Sequence, residues 1–180
     1  PADMTEGLIK AHGEIEVLMP YLHLPVQSGD DQVLKAMNRK YTSLEYLRII
    51  EKLRNARPDM VFSSDIIIGF PGETNQAFKN TLDLVGKVNY SQAYSFKYSR
   101  RPGTPGSIMK GQIAESIKSE RLMILQEILY AQQLDFNKAF IGKSMEVLIE
   151  RRKKNNQLVG KSPYMQAVHL LEDNYDIGDI

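Results

Sequence analysis

Residues 63–73, SSDIIIGFPGE, run from an apolar stretch directly into a glycine-rich turn. Gly69 and Gly72 lack a Cβ, so the backbone at these positions could approach a planar ligand closely. The isoleucines before them offer an apolar wall for a heterocyclic base, and Asp65 and Gln27 could hydrogen-bond the hydroxyls of a ribose. This combination predicts a nucleoside-binding turn. The competing interpretation is an ordinary turn, in which Asp65 and its neighbours only cap helices or pair with lysines.

The turn requires a strand before it and a helix after it. Three consecutive isoleucines leave no polar face, which is typical of a strand buried on both sides in a parallel sheet. Thr74 can cap the following helix, in which Phe78, Leu82 and Val85 recur at helical spacing until about Gly86. The segment is therefore predicted to be a strand, a tight loop and a helix.

Two further strands are predicted, at residues 22–26 and 93–98. The first ends at Gln27-Ser28-Gly29, and the last ends at SRRPGTPG, whose prolines and glycines predict a loop without regular structure. Because the carboxyl ends of parallel strands lie at one edge of the sheet, these loops and the glycine turn should form one ligand-binding rim. Three strands are too few to close a barrel.

Helices are predicted before, between and beyond the strands. A weakly patterned helix spans residues 3–12, a short one ends near Arg39, and a capping box of Thr42 and Glu45 starts a third that ends before residue 58. The longest helix begins at Glu115 and carries an apolar stripe as far as residue 140. Strands that alternate with helices indicate an α/β fold with a parallel sheet.

The period of the apolar residues changes after residue 142. Met145, Val147 and Ile149 alternate with polar residues, and the basic stretch RRKKNN at residues 151–156 is expected at the tip of a hairpin. We therefore predict two domains, an α/β domain at residues 1–141 and a small all-β domain at residues 142–180.

Composition excludes several classes of function. The 180 residues carry a net charge of +1, so any contact with nucleic acid must come from a local patch. The chain has no cysteine, and its histidines have no ligating neighbours in sequence, so we predict no disulfide, no cysteine nucleophile and no metal ligand. It contains no apolar run of about eighteen residues and no leader-like start, so we expect a soluble, cytoplasmic protein without a membrane partner.

Three segments resemble a known family in their order and spacing: YLHLPVQSGDDQVLKAMNRKYT, SSDIIIGFPGET and SFKYSRRPGTPG. They are similar to the methylthiotransferases of the radical S-adenosylmethionine (SAM) superfamily, and HLPVQSG is similar to the version in the tRNA-modifying members. The tail, with GKSMEVLIE and QLVGKSPYMQAVH, resembles a TRAM domain, a small RNA-binding β-barrel. The resemblance covers essentially the whole chain. It implies the C-terminal half of a partial (β/α)6 radical-SAM barrel, followed by an incomplete TRAM domain.

The resemblance implies an S-adenosylmethionine site at the predicted rim. In this superfamily a strand and turn similar to Gly-x-Ile-x-Gly-x-x-Glu lie against the adenine, and IIIGFPGE matches the later part, with Ile66 in place of the first glycine. In the loop after the third strand, Arg100 replaces an expected proline and Gly106 an expected alanine. The implied cofactor-binding residues are Gln27, Ser28, Asp65, Ile67, Gly69, Gly72, Glu73, Phe96 and Tyr98.

The resemblance also implies an activity and its partners. Such an enzyme methylthiolates C2 of isopentenyl-adenosine beside the anticodon, with the tRNA anticodon stem-loop as substrate and an electron donor as a further partner. Its two 4Fe-4S clusters are held by cysteines that this chain lacks. We therefore predict a C-terminal fragment without catalytic residues of its own, inactive without the missing N-terminal portion. The implied RNA-binding residues are Arg100, Arg101, Lys143, Arg151, Arg152, Lys153, Lys154 and Lys161.

Three alternatives remain open from the sequence. A ribosomal-protein methylthiotransferase fragment is the nearest, but Ser28-Gly29 stands where that group has a histidine-containing turn. A non-catalytic RNA-binding remnant would need only the TRAM-like tail. A metal-independent α/β enzyme could use Asp65 or Glu73 as acid or base, although no partner for either carboxylate is evident in the sequence.

Overall fold

The computed structural model describes residues 1–171 and 174–180. Its helices and strands follow in the order α1 (Glu6–Glu14), β1 (Tyr21–His23), α2 (Asp31–Ala36), α3 (Ser43–Ala56), β2 (Val61–Ile68), α4 (Asn75–Val88), β3 (Gln92–Lys97), α5 (Pro105–Ile108), α6 (Glu115–Lys138), β4 (Leu148–Arg152), β5 (Leu158–Lys161) and β6 (Ala167–His169).

The first three strands form one parallel sheet in the order β1-β2-β3. Strand β2 is central: His23 and Gln92 both align with Ser63, and Ile67 aligns with Phe96. Strand β1 is shorter than the predicted strand, but the ladder resumes at an isolated bridge between Gln27 and Ile66. The predicted parallel α/β arrangement is therefore confirmed, and the described residues form no closed barrel.

The helix ends follow local signals in the sequence. The predicted capping box of Thr42 and Glu45 is present, and the Thr74 hydroxyl accepts the N–H of Ala77 at the start of α4. Helix α4 runs past the predicted stop near residue 86, because the chain leaves it only at Asn89, which adopts the left-handed conformation (φ 53°). The prediction of a loop without regular structure at residues 99–106 was partly wrong, since α5 begins at Pro105, a residue tolerated in a first helical turn.

Helices cover only one face of the parallel sheet. Phe62, Ile66 and Ile68 of β2 are buried against α3, α4 and α6, whereas Asp65 and Ile67 point to the opposite face and are partly exposed. The prediction that β2 is buried on both sides was therefore wrong for this second face. The reason is that no described helix packs there, so alternate residues of the strand remain accessible.

A buried pair of tyrosines connects the helices to the sheet. The Tyr46 hydroxyl on α3 donates to the carbonyl of Leu24 at 2.9 Å and lies 2.9 Å from the hydroxyl of Tyr90. Burial raises the pKa of Tyr46 to about 12 and raises that of Tyr90 as well. Both phenols therefore stay protonated in the fold.

Beyond α6, strands β4, β5 and β6 form a small antiparallel sheet. The stretch at residues 151–156 forms the end of β4 and most of the turn to β5, so it lies at the tip of a hairpin, as predicted. The end of α6 packs against this sheet through the aromatic rings of Phe136, Phe140 and Tyr164, whose centroids lie 5.1–5.8 Å apart. A small β module is thus confirmed, while the domain boundary at residue 141 and the TRAM assignment stay predictions.

Tyr46→Phe removes the hydroxyl that joins Leu24 to Tyr90. We expect the free energy of unfolding near pH 8 to fall by about 1–3 kcal/mol, the usual effect of a lost buried hydrogen bond. The wild-type contribution is complete below the unfolded-state pKa of about 10 and is lost as the pH rises toward the folded-state pKa of about 12. The difference between wild type and variant in urea unfolding should therefore narrow from pH 9 to pH 11.

Tyr130→Phe is the control, because the Tyr130 side chain is exposed. This substitution should change the free energy of unfolding little at either pH. A difference between wild type and Tyr46→Phe that stays constant with pH would contradict the proposed role of this phenol.

Candidate functional site

A cleft of about 850 Å³ opens at the carboxyl ends of β2 and β3. Ile67, Phe70, Phe96 and Tyr98 give it an apolar and aromatic lining, and one further wall is formed by residues 36–39 at the end of α2. The loop at residues 99–106 closes the other side. Its volume falls in the range of small-molecule sites, and its position is where parallel α/β sheets bind ligands.

Tyr98 lines this cleft, and its hydroxyl is buried without a hydrogen-bond partner in the described residues. Its ring packs edge-to-face on Phe70, with centroids 5.0 Å apart. An unpaired buried hydroxyl is costly, and this one is closed off from solvent beside Gly106. The same ring explains Gly106, since a Cβ at that position would lie 2.5 Å from Tyr98 Oη.

Gln27 lies beside Ile67 in a strained conformation. Its N–H donates to Asp65 O and its carbonyl accepts from Ile67 N, both at 2.9 Å, and its φ of 69° is rare for a residue with a side chain. The amide group of Gln27 makes no hydrogen bond within residues 1–171 and 174–180. The neighbouring Ser28 differs: its hydroxyl is buried and lies 3.4 Å from Thr81 Oγ1 of α4.

Asp65 belongs to a polar cluster on the helix-free face of the sheet. Its Oδ2 lies 3.4 Å from His23 Nε2, and His23 Nδ1 lies 2.7 Å from Ser63 Oγ, which also contacts the Tyr21 hydroxyl at 2.6 Å. The sequence offered no partner for Asp65, and the structure provides His23. The period-two spacing of Tyr21 with His23 and of Ser63 with Asp65 was the signal that could have revealed this face.

Glu73 is buried, and one of its carboxylate oxygens has partners within the fold, whereas the described residues offer none to Oε2. Its Oε1 accepts the Gly69 N–H at 3.0 Å and pairs with Arg121 Nη1 at 2.7 Å, and the residue is only 2% exposed. Burial raises the pKa of the Glu73 carboxyl, while the Gly69 N–H and the Arg121 guanidinium oppose that rise. Arg121, which lies on α6, had no signal in the sequence that linked it to the turn.

The two glycines of the turn differ in their surroundings. Both have positive φ, 76° for Gly69 and 85° for Gly72. A Cβ on Gly69 would overlap the Lys118 side chain of α6, whereas a Cβ on Gly72 would meet no atom within 4 Å. Gly69 therefore provides space for α6 beneath the rim, and Gly72 provides only the backbone conformation.

Comparison with known proteins identifies the family. Residues 2–85 match the model of the radical SAM superfamily. The chain is 56% identical over 178 residues to the tRNA-2-methylthio-N(6)-dimethylallyladenosine synthase of Rickettsia canadensis (strain McKiel), covering 98% of this chain and 40% of that protein. The resemblance to the radical SAM superfamily is therefore confirmed.

The resemblance to the methylthiotransferases of this superfamily is also confirmed. Synthases of the same name from Agrobacterium fabrum and Novosphingobium aromaticivorans are 52% and 55% identical over the whole chain. The chain spans about two fifths of the length of these relatives.

A solved structure supports the radical SAM fold. Coproporphyrinogen III oxidase from Escherichia coli, described as a radical SAM enzyme, superposes with a TM-score of 0.55 at 14% identity, covering 78% of this chain and 38% of that one. At this identity the similarity concerns the fold alone.

The radical SAM residues implied by the resemblance fall into two groups. Ile67, Phe96 and Tyr98 line the cleft, and Gln27 and Asp65 neighbour them on the sheet. The others, Ser28, Gly69, Gly72 and Glu73, form the turns that support it. Their cofactor-binding roles stay predictions.

The basic residues implied for RNA binding are scattered, and several have internal partners. Arg101 lines the cleft, while Arg100 donates to the carbonyl of Ser107. Arg151 lies near the end of β4 and Lys154 in the turn that follows; both side chains are exposed and make no hydrogen bond or ion pair with the described part of the chain. Lys143, Arg152, Lys153 and Lys161 contact the ring of Phe140, the carbonyl of Tyr175, the amide of Gln157 and the carbonyl of Met165, respectively.

The residues present do not fit an iron–sulfur cluster. The chain contains no cysteine, and the described residues hold no group of three or more potential metal-ligating side chains. Within the same residues, no helix is both long and apolar enough to cross a membrane.

Replacing each glycine of the turn by alanine should distinguish a steric requirement from a requirement for positive φ. Gly72→Ala should cost about 1 kcal/mol in unfolding free energy, because only the positive φ is strained. Gly69→Ala should cost at least about 2 kcal/mol more, since its Cβ must also displace the buried stem of Lys118. Urea unfolding of both variants measures the difference. Equal losses would show that Lys118 does not constrain Gly69.

Proposed function

We propose that this chain is part of a tRNA-2-methylthio-N6-dimethylallyladenosine synthase, which adds a methylthio group to C2 of isopentenyl-adenosine beside the anticodon. The supporting observation is the cleft itself. Its apolar and aromatic lining includes Ile67, Phe96 and Tyr98, three of the residues to which the family resemblance assigns the cofactor. The names of the relatives supply the reaction and the tRNA substrate.

The cleft has the chemistry to hold S-adenosylmethionine. Ile67 and Phe96, aligned on neighbouring strands, provide a flat apolar surface for the adenine, and Tyr98 also lines the cleft beside them. The free amide of Gln27 and the carboxylate of Asp65 suit the ribose hydroxyls. When bound, the cofactor supplies the reactive group. The protein residues orient it and exclude water.

The thiolates for iron–sulfur clusters must come from polypeptide outside these 180 residues, because the chain contains no cysteine. We therefore propose that the chain contributes one wall of the cofactor site and part of the RNA-binding surface of a larger cytoplasmic enzyme, which also needs an electron donor. By itself the chain should form no methylthio-adenosine in tRNA.

We propose that the turn between β4 and β5 binds the anticodon stem-loop. Arg151 and Lys154 project from a two-stranded hairpin with their charges unpaired within the described residues, as phosphate contacts require. The net charge of the chain is only +1, so this local patch has to provide the attraction. The small antiparallel sheet that carries the hairpin supports assignment of the module as a TRAM domain.

Phe96→Ala should weaken the binding of S-adenosylhomocysteine to the chain. Loss of an aromatic surface that stacks on a base costs about 1–3 kcal/mol, or roughly 5- to 150-fold in Kd. Tyr94→Ala is the matched control, because Tyr94 lies on the same face of β3 and is 47% exposed, compared with 53% for Phe96, but does not line the cleft. Titration calorimetry measures both. Equal effects of the two variants would argue against adenine binding at Phe96.

Neutralising the hairpin should reduce the salt dependence of RNA binding. The double variant Arg151→Gln with Lys154→Gln should lower the slope of log K against log salt for an anticodon stem-loop by about 1.5, because two phosphate contacts are lost. Lys10→Gln with Lys79→Gln removes the same charge from exposed helix positions and should leave the slope nearly unchanged. Similar slopes for both double variants would exclude the hairpin as the binding surface.

A further inference from the structure

We propose that Lys118 and Arg121 of α6 are positioning residues that hold two loops of the cleft in their ligand-binding geometry. The loops are the turn at residues 69–75 and the end of β3 at residues 97–98. The inference rests on the proposed function only in naming S-adenosylmethionine as the ligand of the cleft.

Lys118 joins the two loops directly. Its aliphatic stem occupies the space that a Cβ on Gly69 would fill, and its Nζ donates to the Tyr98 carbonyl at 3.1 Å. The residue is only 5% exposed, and its ammonium also pairs with Glu115, which is 71% exposed. One side chain thus contacts both the glycine of the turn and the backbone of the aromatic residue that lines the cleft.

Arg121 fixes the rest of the turn. Its Nη1 donates to the backbone carbonyl of Glu73 at 3.1 Å and to Glu73 Oε1 at 2.7 Å, and its Nη2 donates to Asn75 Oδ1 at 2.7 Å. Glu73 Oε1 in turn accepts the Gly69 N–H at 3.0 Å. The planar guanidinium therefore sets the direction of groups at residues 69, 73 and 75 at once.

Burial of the Arg121–Glu73 ion pair is an inefficient way to stabilise the fold. Arg121 is 7% exposed and Glu73 is 2% exposed, and a buried ion pair of this kind is often no more stabilising than well-packed apolar residues. Directed hydrogen bonds fix the orientation of the backbone, which apolar packing does not do. We therefore assign Glu73 to this network, where it acts on the ligand through Gly69 and Arg121 rather than by contact.

The positioning role of Lys118 and Arg121 does not follow from the superfamily match. The matched superfamily model covers residues 2–85, and both Lys118 and Arg121 lie beyond it on α6. The cleft is thus lined by residues of β2 and β3, while the geometry of its loops depends on a helix that contributes no residue to the lining.

Two variants of the 180-residue chain test the assignment. Lys118→Met keeps the stem on Gly69 but removes the donor to Tyr98, and Arg121→Lys keeps the charge but removes the planar fork. Each should raise the Kd for S-adenosylhomocysteine about tenfold when measured well below the thermal midpoint. Amide hydrogen exchange should accelerate at Gly69 in Arg121→Lys and at Tyr98 in Lys118→Met.

Two controls isolate the contacts. Glu115→Gln removes the exposed partner of Lys118 but leaves the bond to Tyr98, so the Kd should not change. Arg54→Lys disturbs another partly buried arginine, which donates to Val88 O away from the cleft, and should lower the thermal midpoint without changing the Kd.

The outcomes distinguish this inference from the proposed function. If wild type binds S-adenosylhomocysteine and neither Lys118→Met nor Arg121→Lys alters the Kd, the positioning role is wrong and the proposed function stands. A Kd increase in Arg54→Lys equal to that in the test variants would also overturn it. If wild type does not bind, the cofactor assignment fails, and unchanged exchange at Gly69 and Tyr98 in the variants would overturn the positioning role independently.

Discussion

Strand β2 pairs in parallel with a neighbour on each side, and this pairing determines where a ligand can bind. Parallel pairing brings the carboxyl ends of the strands to one edge, so the glycine turn after β2 and the aromatic end of β3 meet although they lie far apart in sequence. The register sets Ile67 beside Phe96 on the same face. Gln27 continues the ladder beyond β1 only by adopting a positive φ, so the strain at the rim follows from the same pairing.

The helix-free face of the sheet determines which kinds of side chain lie in and beside the cleft. A parallel sheet is normally covered on both faces by apolar packing, but here alternate residues of β2 carry Ser63, Asp65 and Ile67 to a face without described helices. Polar side chains occupy its inner part and apolar or aromatic ones its outer part, nearest the turn. This change from polar to apolar side chains along the face suits a ligand with a planar base and a polar sugar. The opposite face holds the core, in which Tyr46 and Tyr90 satisfy each other.

Local features were predictable from sequence, and distant partners were not. The capping box at Thr42, the cap at Thr74 and the turn at Gly69 depend on neighbouring residues, whose spacing is visible in the chain. The pairing of Glu73 with Arg121 joins residues 48 positions apart, and nothing in the periodicity of α6 indicates a buried cation. The partial exposure of β2 was missed for a similar reason: three isoleucines in succession indicate burial, but which face lacks a helix is a property of the assembled fold. The carboxyl ends of the strands meet at one edge, as the parallel arrangement predicted, but the loop at residues 27–29 does not line the cleft, and ligand binding at this edge stays a prediction.

Helix α6 spans the distance between the two halves of the molecule. Lys118 contacts the loops of the cleft near its first turn, and Phe136 packs on the small sheet near its last. Eighteen residues of helix separate them, a rise of about 27 Å. Under the proposed function, a helix of this length sets the distance between the RNA-binding hairpin and the cleft, so a bound RNA would have to present its reactive nucleotide at that spacing. Discrimination among RNAs would then depend on their three-dimensional shape, with little need to read base sequence along the way.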